Sequence, residues 1–185
     1  MKRLNRTLWS LLIVLLIVAT ASGCGKQTEQ ANKLVDEVNE IAAAVEPKLD
    51  QANNLLLQAT DQLSQGKIAD EKTSLTKAQG LIDEIAGEID KAKSKTDEAA
   101  ALDISDSYRQ YLQAKGRALE EARGLSQTTR EITVVLLADP AVEKPETLTR
   151  VTELENTGTA QSDRLKAAED EAGRIASEHS DEIEQ

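Results

Sequence analysis

The chain has 185 residues, 22 of them basic and 33 acidic, with 39% hydrophobic residues, 2% aromatic residues, no Phe and a net charge of −11. No basic cluster survives beyond the first six residues to neutralise a phosphate backbone, which excludes nucleic acid as a partner. One His and one Cys leave little material for catalysis or metal binding, so a helical protein with few large core residues is the class that remains.

Residues 1–7 carry Lys2, Arg3 and Arg6, and residues 8–21 form an apolar run of 14 without a charge. This is the charged-then-apolar order of a secretory leader, and the run falls short of the roughly 20 residues that span a bilayer as a permanent helix. It ends in Ala21-Ser22-Gly23-Cys24, small residues followed at once by the only cysteine. The segment resembles the lipobox of bacterial lipoproteins, with Ala21 where that pattern more often holds Leu. The resemblance implies removal of residues 1–23 and acylation of the Cys24 thiol, a palmitate-type diacyl anchor. Two chains are what stable anchoring takes. Cleavage leaves 19 basic and 33 acidic side chains, a net charge of −14, which an anionic membrane surface repels. Residues 24–30 are then the lipidated Cys and a short tether.

From Ala31 onward apolar residues recur at threes and fours, and Ala, Leu, Glu, Lys and Gln dominate, so the sequence predicts helix throughout 31–185 as one domain. The first helix is expected over 31–64, with the stripe Leu34, Val38, Ile41, Val45, Leu49, Ala52, Leu56, Ala59 and Leu63. Pro47 predicts a kink or a restart, and Gly66 supplies the terminating residue. The stretch around Ala59, Gly66, Leu75 and Ala78 is vaguely similar to a tetratricopeptide turn, but Glu71 stands where that repeat wants a small residue and no second copy follows.

The second helix, 68–101, keeps a heptad of Leu75, Ala78, Ile82, Ile85, Ile89, Ala92, Thr96 and Ala99. Continuing that frame buries Asp103 and Asp106, which predicts a turn there rather than one rod over 68–138. Asp103 and Ser105 are N-cap candidates for a third helix over 105–138, carrying Tyr108, Tyr111, Leu112, Ala118, Leu119, Ala122, Leu125, Ile132 and Leu136. Pro140 and Pro145 bracket a loop before a fourth helix over 145–183, with Leu148, Val151, Leu154, Leu165, Ala168, Ala172, Ile175 and Ile183 inward. Its stretch from Asn156 to Ser162 is poor in apolar residues. The fold class expected is all-α, an antiparallel four-helix bundle or coiled-coil-like hairpins after a cleaved signal peptide.

Candidate chemistry is sparse. His179 and Glu182 share a helical face, but a di-metal bundle needs a second His and this chain has none, so neither metal nor cofactor is expected. Tyr108 and Tyr111, with Arg109 beside them, fall within one turn; they are expected to pack in the core, and the sharper alternative is a ligand or partner contact. Gly80 and Gly87 read as exposed positions. The functional expectation is a non-enzymatic envelope lipoprotein, exported and held by its lipid on the outer face of the cell membrane, or in the outer membrane of a two-membrane cell. It would serve as an interaction module or spacer for an envelope protein. The alternative is a lipoprotein that binds a small ligand or metal ion between its helices.

Overall fold

The computed structural model describes residues 26–180; the leader, Cys24, Glu182 and Ile183 lie outside the described residues. Four helices make up almost all of it: α1 Lys26–Ser64, α2 Ile68–Ala100, α3 Asp106–Ala138 and α4 Pro145–Glu178. At 1.5 Å per residue the 33-residue α2 and α3 extend about 50 Å. Among the described residues no strand occurs, and no helix is long and apolar enough to cross a membrane.

The three turns have local causes. Gly66, at φ +70°, ends α1: its N–H donates to the Leu63 carbonyl at 2.9 Å and the Lys67 N–H reaches the Gln62 carbonyl at 2.9 Å. That pair of bonds is the Schellman arrangement, in which a residue without Cβ takes the left-handed position. Between α2 and α3, Ser105 is the N-cap, and its Oγ accepts the Tyr108 N–H at 3.2 Å. Of the two expected caps Ser105 serves, and a turn replaces the 68–138 rod. Pro145 occupies the first turn of α4, with Glu146 beside the positive end of the helix dipole.

Pro47 lies inside α1, which runs on through it without a break. The carbonyl that its missing N–H leaves open belongs to Ala43, and both residues are on the exposed face of α1, open to solvent. The stripes otherwise fall as the periodicity predicts. Every heptad position named for α2 is buried. Leu148 is the exception in α4, at 60% exposure.

The antiparallel order is visible in the ion pairs. Lys48 meets Glu84 and Lys95 meets Glu37 between α1 and α2. Arg130 meets Asp83 and Arg123 meets Asp90 between α2 and α3, while Arg164–Glu121 and Arg117–Glu171 join α3 to α4. Backbone contact is extensive along these three seams, and α1 and α4 meet less closely. The core divides in two. The larger cluster gathers Ala31, Val35 and Val38 with Ile89, Leu112, Leu119 and Ala172 at the end holding the start of α1. The smaller, at the far end, contains Leu56, Ala59, Leu75, Ala78, Leu136 and Val151.

Candidate functional site

At the near end, the residues singled out in the sequence hold the fold together. Tyr108 and Tyr111 are 1% and 3% exposed, with ring centroids 6.4 Å apart. The Tyr108 hydroxyl donates to Asn32 Oδ1 at 2.8 Å, tying α3 to α1. Burial pushes this phenol up to about 12, with the Asp36 charge adding to the shift. Tyr111 is raised further by burial and then by Glu169 and Tyr108. Arg109 pairs with Asp106 at 2.8 Å and donates to the Leu102 and Ile104 carbonyls, each at 3.2 Å, so its guanidinium fastens the α2–α3 turn. Deeper in the bundle, between α3 and α4, Lys115 Nζ lies 2.6 Å from Glu169 Oε2, with side chains 6% and 17% exposed.

The open space is at the other end. A cavity of about 500 Å³ lies among all four helices, walled by Leu56, Ala59 and Leu63 of α1, Leu75 of α2, Leu125 and Leu136 of α3, and Val151 and Leu154 of α4. Its origin is compositional. Inward positions hold Ala59, Thr129, Thr133 and Gly158 where a filled bundle would carry Leu or Ile. The apolar-poor start of the Asn156–Ser162 stretch therefore leaves a chamber rather than a frayed helix. Exposed Leu148 and Thr152 mark where it reaches solvent.

Two carboxyls line this chamber, Glu71 from α2 and Glu155 from α4. Glu71 is 2% exposed; its Oε2 and the Oε1 of Glu155 are buried without a hydrogen-bond partner. Burial holds both carboxyls above the usual carboxylate range, with Lys72 pulling Glu71 weakly the other way. The wall of the chamber next to the α3–α4 loop includes Val142, whose φ of +51° is strained for a β-branched side chain. Asp139 braces that loop by accepting the Thr147 hydroxyl at 2.7 Å and the Lys144 N–H at 3.1 Å, bonds that hold its carboxyl below the usual range.

Sequence reasoning passed over both carboxyls, although a signal was present. Glu71 precedes Leu75 by four residues and so extends the buried stripe of α2, and Glu155 follows Val151 by four on α4. His179 lies at the opposite end of α4 from the chamber. Among the described residues no three His, Cys, Asp or Glu side chains converge on a possible metal position. Comparison with protein-family models, curated proteins and solved structures finds no match to this chain.

Proposed function

We propose that this protein is a lipid-tethered binding protein of the bacterial envelope, which holds a small, largely apolar molecule in the chamber at the far end of its bundle. The observation that carries the reading is the chamber itself: about 500 Å³, within the range of small-molecule sites, mostly apolar, and lined by two carboxyl residues, buried Glu71 and half-buried Glu155. A buried polar atom without a partner costs about 1–3 kcal/mol; of the three such oxygens among the described residues, two belong to residues lining the chamber and the third, Glu169 Oε1, lies at the near end. Binding rather than catalysis suits the chamber, because the five threonines lining it have no histidine beside them.

The tether rests on the leader and on Cys24. With Cys24 in the membrane, the 35 residues of helix from Lys26 to Thr60 place the chamber about 50 Å from the anchored end, so the same rods act as a spacer. A protein partner in the envelope is the second reading, favoured by Val134, a large apolar side chain 43% exposed outside the chamber.

The test is native mass spectrometry of the full chain isolated from its own envelope, paired with acyl labelling. The expected result is a diacylated Cys24 terminus and one small-molecule adduct per chain. Cys24→Ala should lose the label and keep the adduct. An intact Met1 terminus would overturn the tether, and a chain that never carries an adduct would overturn the binding role.

A further inference from the structure

The hydrogen-bonding inventory of the chamber is one-sided. Five threonines line it, and the hydroxyl of each is already committed as a donor. Thr60 donates to the Leu56 carbonyl at 3.1 Å, Thr129 to Leu125 at 2.9 Å, Thr133 to Arg130 at 2.7 Å and Thr152 to Leu148 at 2.9 Å. Thr128 donates to Gln161 Oε1 at 2.8 Å. No Lys, Arg or His lines the walls. With both carboxyls ionised, what the walls offer a ligand is acceptors: the carboxyl groups of Glu71 and Glu155, and hydroxyl lone pairs.

Such a surface rejects an anion, which would add acceptors to acceptors and a negative charge to two carboxyls. A purely apolar guest would fill the volume but leave both carboxyl oxygens buried and unbonded, at continued cost. A guest that brings N–H donors and a positive charge satisfies them.

We propose that the ligand class is a cationic amphiphile, a primary or secondary ammonium on an apolar body, with its N–H donors directed at Glu71 and Glu155 and its body against Leu56, Leu75, Leu125 and Leu154. This rests on the chamber being a binding site and specifies what enters it. The two carboxyls come from α2 and α4, helices that do not follow one another in the chain. Hydrogen bonds to a charged group are worth more than neutral ones, by enough to separate an amine from its alcohol by about tenfold or more.

The experiment uses the full chain in zwitterionic-lipid nanodiscs, with empty nanodiscs subtracting partition into lipid. Three probes of one skeleton are titrated at pH 7.5: 4-(1-naphthyl)butylamine, the corresponding alcohol and the corresponding carboxylate. The expected order is amine first, alcohol at least about tenfold weaker, and carboxylate weakest. In the double variant Glu71→Gln and Glu155→Gln, amine affinity should fall to that of the alcohol while alcohol affinity holds, which also reports an intact chamber. An alcohol or carboxylate binding as tightly as the amine, or an amine preference that survives in the double variant, overturns the cationic assignment and leaves the binding role standing. If none of the three probes binds the unaltered chain, the binding role fails and this proposal fails with it.

Discussion

Glu71 is the residue on which packing and function disagree. Its side chain takes a core position in the α2 stripe, yet it ends in a carboxyl with an oxygen that nothing satisfies. A carboxyl raised by burial binds its proton more tightly in the folded chain than in the unfolded one. The stability that this group contributes is therefore fully present below the ordinary carboxylate value and is lost as the pH climbs through the raised one. Glu71→Met, similar in length and apolar, should raise stability by about 1–3 kcal/mol at pH 7.5 and by much less at pH 4, as read by urea unfolding at the two pH values. The Lys115–Glu169 pair is a different case, a buried ion pair in which Nζ and Oε2 lie 2.6 Å apart. Lys115→Met alone should cost about 3–5 kcal/mol by leaving Glu169 buried and unpaired, whereas adding Glu169→Leu should recover most of that loss in the same unfolding assay. The sequence shows both residues as ordinary entries in a charged composition, because one-dimensional periodicity gives register but not the partner that a second helix brings.

At the scale of the element, the helices and turns were legible because their determinants are local. Gly66, Ser105 and Pro145 each sit where their backbone chemistry ends or starts a helix, and the α2 heptad places its buried face without reference to the rest of the chain. Pro47 and Leu148 were less legible because each depends on its surroundings in the folded bundle. Pro47 falls on the exposed face of α1, and the chamber next to Leu148 offers no wall to bury it against. The chamber gives α1 an unusual tolerance. In a filled core, enlarging a buried Ala costs about 1–3 kcal/mol, but Ala59 faces open volume. Ala59→Leu should therefore leave the unfolding midpoint unchanged or raised. The same change at Ala92 or Ala118, within the larger core cluster, should lower it. Ser105→Ala should remove about 1 kcal/mol by releasing the Tyr108 N–H, with the hairpin kept.

For the whole molecule, the division of labour follows the length of the bundle. The near end is tightly bonded: aromatic rings, the Arg109 fastening and the Lys115–Glu169 pair all lie there. At the far end the core thins to a small cluster around a chamber. A tether through Cys24 would put the rigid end at the membrane and the receptive end away from it. If the chamber is a binding site and not a packing defect, it takes up a neutral apolar fluorophore saturably. N-phenyl-1-naphthylamine is titrated into the full chain in nanodiscs, against empty nanodiscs and against Ala59→Phe, with circular dichroism reporting helix content. The account predicts a saturable fluorescence rise at one probe per chain that Ala59→Phe abolishes while helicity is retained. A rise that never saturates, or one that is the same in Ala59→Phe, would contradict it.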